Sequence, residues 1–304
     1  MTACSEDTDA LFPKKSASVP SFAEENSFLG KVEEVYAGVI DRTAKVVKST
    51  FPRGALKQRL LQKERADALL SLTNIPGTLH ITRPIISFDF ETTGLGSTKQ
   101  RIISMSFVKV HPPSQKNGPS PNTCRIEVFC TGMGNIRPAD GSIYLNPEGM
   151  PSHPAALHLH GIQDAELVTP LPTFSAHAEQ LRSFLAGSVM TGYNITKFDL
   201  AFLTAEFHRS GITWSPAAEG IEIIDTLILY RRFRPQQYKR GGKLLSAYLH
   251  FVGEQQARAH NAEADAFTAL RLLYAMVEDP DIQTAVVTSL QGLYHPSRPE
   301  GTSS

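Results

Sequence analysis

Apolar residues recur at helical spacing between about positions 28 and 72, with Val32, Val35 and Ile40 before Pro52 and Leu56, Leu60, Leu61, Leu69 and Leu70 after it. Two helices broken near Phe51-Pro52 are predicted, because proline lacks an N–H and clashes with the turn before it. At Pro84 the pattern changes. Residues 85–88 form an apolar run with a carboxylate at its end and a Thr-Thr-Gly turn beyond, and residues 101–110 and 124–130 read as further strands. A proline-containing loop insertion, 111–123, separates the last two. Three strands in meander order predict an antiparallel half-sheet. Helix 174–185, strand 188–193, helix 199–210, strand 221–224 and helices 244–250 and 262–276 follow. Asn261 is placed to cap the last helix, with Ala266, Ala269, Leu270 and Leu273 on one face.

This makes an α/β chain with a five-stranded sheet flanked by helices and an N-terminal helical extension. Four stretches are expected: a disordered lead-in at 1–24, a basic helical extension at 25–82, the α/β domain at 83–280, and a flexible tail at 281–304. The 304 residues suffice for a sizeable core, and 41% hydrophobic with 20% charged residues excludes a wholly disordered chain. Lys plus Arg equals Asp plus Glu at 30 each, so any polyanionic partner must be met locally. Cys4, Cys124 and Cys130 are too few and irregular for a disulfide framework or a zinc site. No apolar run reaches membrane-spanning length and no signal peptide is evident, so a soluble intracellular protein without a membrane partner is expected, in nucleus or cytoplasm.

Four acids sit where a lone charge is costly to desolvate. Asp89 and Glu91 follow the 85–88 strand two residues apart, so they point to the same side; Asp199 opens a helix among Phe198, Leu200, Phe202 and Leu203; Asp265 lies among Ala264, Ala266 and Phe267. Converging carboxylates repel unless divalent cations neutralise them, and Mg²⁺ or Mn²⁺ prefer such oxygen ligands. Two such ions can hold the attacking and departing oxygens of an in-line phosphoryl displacement, so the chemistry suggested is phosphodiester hydrolysis. His260 stands five residues before Asp265, and histidine titrates near neutral pH, as a general base requires.

The segments FDFETTGL (88–95), NITKFDLAFL (194–203) and HNAEADA (260–266) resemble the three motifs of the DEDDh 3′→5′ exonucleases. This ribonuclease-H-like family includes the proofreading epsilon subunit of bacterial DNA polymerase III. LHGI (159–162), PTF (172–174) and the strand end DTL (225–227) are supporting matches. The resemblance implies a mixed sheet, an antiparallel meander followed by parallel strands. It further implies two Mg²⁺ or Mn²⁺ ions bound by Asp89, Glu91, Asp199 and Asp265, with His260 activating water. The four residues between His260 and Asp265 fit the histidine branch of the family. By the same resemblance Thr92, Thr93 and Leu95 would hold and wedge the 3′-terminal nucleotide, and His160, Asn194 and Phe198 would lie near its base and sugar. Many relatives carry His at Tyr193 and Glu at Ser104, departures that touch no metal ligand.

Arg231, Arg232, Arg234, Lys239, Arg240 and Lys243, with Phe233 and Tyr238 among them, make an acid-free stretch suited to guiding a single strand. The eight basic residues between 42 and 65 are a second candidate for phosphate contact, and residues 25–82 a candidate site for protein partners. Three readings stay open: a 3′→5′ exonuclease on single-stranded or frayed DNA ends, the same chemistry on RNA, and an inactive fold serving as a binding module. Intact acids disfavour the third, since a lost enzyme has no reason to keep them together.

Overall fold

The computed structural model describes residues 63, 65–79, 81–113, 124–129, 142–168, 170–254 and 260–291. The predicted lead-in, most of the basic extension and most of the 111–123 insertion lie outside these residues. Of the predicted helix pair, residues 65–72 are helical. The described strands are β1 (Ile85–Thr92), β2 (Ile102–Val110), β3 (Ile126–Val128), β4 (Ile143–Tyr144), β5 (Val189–Gly192) and β6 (Glu222–Asp225). The α-helices that follow β4 in sequence are α1 (Pro154–His160), α2 (Ala178–Leu185), α3 (Asp199–Arg209), α4 (Thr226–Phe233), α5 (Pro235–Arg240), α6 (Leu244–Val252), α7 (Ala262–Met276) and α8 (Pro280–Gln291).

The strand order is β3-β2-β1-β5-β6, with β4 also paired to β2. β1, β2 and β3 run antiparallel, whereas β5 joins β1 and β6 in parallel. The mixed sheet therefore has six strands rather than five. The additional strand, β4, is two residues long, too short to carry an alternating pattern of its own.

Strand alternation divides the core into two layers. Ile86, Phe88, Phe90, Met105 and Phe107 face a cluster with Leu181, Phe202 and Phe207 from α2 and α3. Ile85, Val108 and Val110 face the other layer, built with Ala266, Leu270 and Leu273 of α7 and Tyr248 of α6. On that second face Ser87, Ser104 and Ser106 are buried, and the Ser87 hydroxyl donates to the Ala266 carbonyl at 2.7 Å. Small side chains here let α7 approach the sheet closely enough for hydrogen bonding. Asn261 caps α7 by accepting from Ala264 N–H at 2.9 Å, as its sequence predicts. The helix is buried at 12 of its 15 residues, so it is central rather than one-faced: the sheet, α6 and the Arg65–Glu263 ion pair from residues 65–72 surround it.

Helix α8 runs past the tail boundary expected at 281. Asp279 accepts from the N–H groups of Asp281 and Ile282, and α8 buries Ile282 and Val286 against the α7 layer. An apolar pair four residues apart is enough to dock one turn-and-a-half of helix, and too little to be distinctive in sequence.

Glu206 of α3 is 1% exposed and accepts from Arg101 at 2.8 and 3.0 Å, from Ile102 N–H at 3.2 Å, and pairs with Arg209 at 3.2 Å. Replacing it with Ala removes the buried carboxylate that Arg101 and Arg209 share, leaving Arg101 with Glu148 and Arg209 with the Ser97 and Gln100 carbonyls, and should cost about 3 kcal/mol in urea denaturation. A loss below about 1 kcal/mol would show that Arg101 and Arg209 find water instead.

Candidate active site

Asp89 and Glu91 lie within β1, which extends four residues past the acid-free run seen in the sequence, and both project toward α7. Across the sheet they stand opposite Ser106 and Ser104. Asp265 enters from the first turn of α7, and carboxylate oxygens of Asp89, Glu91 and Asp265 lie within 4.8 Å of one another. Asp199 is the first residue of α3, is 2% exposed, and its Oδ1 has no hydrogen-bond partner among the described residues. It stands outside the tight trio and acts on Asp89 and Glu91 electrostatically.

The loop that delivers Asp199 is tightly held. β5 ends at Gly192, where a Cβ would come within 2.9 Å of the Phe88 carbonyl and 2.5 Å of the Ile195 side chain, so only glycine lets the chain pass β1. Asn194 then adopts φ 66, a left-handed conformation that asparagine tolerates. Asp225, at the end of β6, accepts from Asn194 and Leu227 N–H through Oδ1 at 2.9 and 3.0 Å and from Thr196 N–H through Oδ2 at 3.0 Å. One carboxylate thus caps α4 and fixes the loop before α3.

Burial raises the Asp89 carboxyl well above the usual carboxylate range, reinforced by Asp199, Asp265 and Glu91. Burial pushes Glu91 up to about 8, with Asp265 and Asp199 adding to it. Asp199 is likewise raised to about 8 by burial, against a hydrogen bond from its own N–H, with Asp225 contributing repulsion and Phe90 N–H opposing it. Four acids gathered without a cationic side chain among them, one with an unpartnered buried oxygen, fit divalent cations with oxygen preference.

A cleft of about 600 Å³ opens over this floor, lined by Asp89, Glu91, Asp265 and His260 and walled by the 94–100 loop and α1. Of the residues expected at the terminal nucleotide, Thr92, Leu95, His160 and Phe198 line it. Leu95 is 88% exposed. His160 accepts from Ile162 N–H through Nδ1 at 3.0 Å, which places the proton of the neutral ring on Nε2. Thr93 and Asn194 do not line the cleft. Thr93 is fully buried: its N–H donates to the Arg101 carbonyl, its carbonyl accepts from His153 N–H, and its hydroxyl donates to Gln100 and accepts from Arg101 N–H. Asn194 accepts from Lys197 and Phe198 N–H, a turn-forming role. His260 is exposed, at φ 62, and its N–H donates to Asp265 Oδ2 at 2.9 Å.

The basic stretch is helical, on α4 and α5 and at the start of α6, and does not line the cleft. Arg231, Arg232, Lys239, Arg240 and Lys243 are exposed. Arg234 is instead half-buried and paired with Asp279. Phe233 and Tyr238 turn inward against the α7 layer, so their faces are committed to packing. Cleft residues absent from the motif reading include the polar Thr98, Lys99, Gln100 and His153. None belongs to a motif, and only the folded loop brings them to the acids.

The family model for RNase_T, described as exonuclease, matches residues 86–273. The chain is similar to the DNA polymerase III PolC-type proteins of Staphylococcus epidermidis, 26% identical over 194 residues, and Streptococcus suis, 28% identical over 194 residues. Each match covers 64% of this chain but only 12% and 11% of those proteins, so this chain spans a small part of their length. Among solved structures it is similar to the zinc-bound E. coli ExoI–ssDNA complex, with TM-score 0.51 and 19% identity over 68% of this chain and 43% of that one. The E. coli exonuclease I complex with a dT13 oligonucleotide gives TM-score 0.51 and 19% identity over 68% and 44%. These structural likenesses concern the fold. No helix among the described residues is long and apolar enough to cross a membrane.

Carboxyls raised to about 8 keep their protons in the folded state after the unfolded chain has lost its own, so metal-free stability should fall as pH rises from about 5 to 8. Urea titrations at several pH values check this, and saturating Mn²⁺ should flatten the decline. A metal-free stability that increases over this range would contradict the assigned burial. Asp199→Asn should raise metal-free thermal stability while weakening the stabilisation by Mn²⁺, which in the parent follows ligand mass action, about 2.7 kcal/mol at a hundred times the dissociation constant.

Proposed function

Because this chain belongs to the RNase_T exonuclease family, we propose that it is a 3′→5′ exonuclease that releases nucleoside monophosphates from single-stranded or frayed DNA ends. The observation that carries this reading is the trio Asp89, Glu91 and Asp265, with oxygens within 4.8 Å of one another on the floor of an open cleft. Asp199 completes the set from behind. Two divalent cations, Mg²⁺ or Mn²⁺, held by these four residues would supply charge neutralisation and polarisation of the scissile phosphodiester.

The remaining roles fall to the chain's own groups. His260 lines the cleft beside Asp265 and takes the proton of the attacking water. Its main-chain bond to Asp265 fixes where the imidazole starts from. Leu95, on an exposed loop, separates the terminal base from its neighbour, while Thr92, His160 and Phe198 bound the terminal nucleotide. Thr93 and Asn194 serve by holding the loops rather than by touching substrate. Arg231, Arg232, Lys239, Arg240 and Lys243 offer a phosphate track for the strand outside the cleft, by charge rather than by aromatic stacking. DNA is favoured because the relatives matched in sequence are DNA polymerases by name.

The test uses matched DNA and RNA single strands labelled at the 5′ end, with Mg²⁺ or Mn²⁺ and an Asp89→Ala control. A ladder shortening from the 3′ end on DNA, faster than on RNA and absent in the control, is expected; no ladder on either polymer would overturn the reading. His260→Ala should lower the rate by roughly 10² to 10⁴ with the Mn²⁺ stabilisation intact. A variant within tenfold of the parent would remove the histidine from its role as base.

A further inference from the structure

The exonuclease reading leaves one electrostatic problem in the cleft itself. A strand entering it brings one negative charge per nucleotide, and the three carboxylates on its floor, with Asp199 outside the lining, carry charges that bound cations would at most cancel. The phosphates lying 5′ of the scissile bond therefore need a cation of their own. Among the described residues lining the cleft, Lys99 is the only lysine or arginine. Its side chain makes no ion pair with another described residue, and it is exposed.

Lys99 is held by a loop with little freedom. Thr93 and Arg101 exchange two main-chain and side-chain bonds at 2.9 Å and close the 94–100 loop at its neck. Inside it, Lys99 and Gln100 N–H both donate to the Gly96 carbonyl, at 3.0 and 2.8 Å. Arg209 reaches across from α3 to the carbonyls of Ser97 and Gln100, and Arg101 is locked onto Glu206 of the same helix. That helix begins with Asp199. The loop bearing Lys99 and the helix bearing a candidate metal ligand are thus one braced piece, which sets the lysine's origin relative to the floor. Leu95 stands on the same loop, so an ammonium and an apolar wedge share one mount.

Resting on the exonuclease reading, we infer that Lys99 binds a backbone phosphate of the substrate strand on the 5′ side of the scissile bond, beyond the terminal nucleotide. It is a strand-holding residue: it adds affinity for oligonucleotides and no charge stabilisation at the reacting phosphorus. The basic surface of α4 and α5 lies outside the cleft and cannot substitute for it there.

The test compares Lys99→Ala and Lys99→Arg with the parent in the full chain on two substrates: a 12-nucleotide single strand and a chromogenic p-nitrophenyl ester of thymidine 5′-monophosphate, which has no upstream phosphate. Lys99→Ala should raise KM for the 12-mer about fivefold with kcat within twofold. It should also make log(kcat/KM) against log[salt] shallower by about 0.7, the share of one phosphate contact on a single strand. Hydrolysis of the chromogenic ester should be unchanged, and Lys99→Arg should restore the 12-mer KM. An unchanged KM and salt slope on the 12-mer would overturn the assignment while leaving the exonuclease reading intact. Equal losses on both substrates would also overturn it, moving Lys99 to the terminal phosphate. A parent protein that cleaves neither substrate would sink the underlying reading, and the inference with it.

Discussion

Four carboxylates that repel one another are held at one end of β1, and most of the surrounding architecture exists to keep them there. Left to themselves, these acids would separate into water, because burial and neighbouring charge both oppose the ionisation of Asp89, Glu91 and Asp199. Each is therefore mounted on a different rigid support or a different point of one support. β1 lies at the centre of the sheet between β2 and β5, α7 is enclosed nearly all round, and α3 is pinned at its far end by Glu206, Arg101 and Arg209. Cohesion elsewhere opposes repulsion here, the usual arrangement where function needs a local cost.

The supports meet through small residues and shared acceptors. Ser87, Ser104 and Ser106 thin the sheet surface under α7, while Gly192 lets β5 pass the Phe88 carbonyl before the chain turns into Asn194. Asp225 joins the start of α4 to the loop before α3, so the third acid of the site inherits its position from two strands and two helices. In this chain Tyr193 donates to the Gly242 carbonyl at 2.8 Å and ties the end of β5 to the α5–α6 connection.

The acids were legible in the sequence because each broke an apolar pattern at a place where a charge is costly. Alternation alone put Asp89 and Glu91 on one face, and the cap at Asn261 fixed where α7 begins. What escaped was whatever depends on long-range contact. Thr93 sits inside a motif and looks like a substrate residue, yet its donors and acceptor are all taken by residues 100, 101 and 153. Arg234, Phe233 and Tyr238 belong to a stretch whose composition suits a nucleic acid, but an ion pair and core packing claim them. β4 and α8 are too short or too weakly patterned to stand out, and Lys99 acquires its place only when the 94–100 loop folds back on α3.

Asp265 carries two duties on one side chain. Its carboxylate belongs to the acidic trio, and its Oδ2 accepts the main-chain N–H of His260, whose positive φ needs such an anchor. Positions 260 and 265 are therefore structurally coupled. Under the proposed mechanism, once the carboxylate is lost the histidine has no defined starting point and its own replacement would cost little more, which would make the two sites epistatic. Recovery of a damaged 265 requires the same carboxylate at the same reach, since a ligand supplied from elsewhere would mend the trio and leave the imidazole adrift.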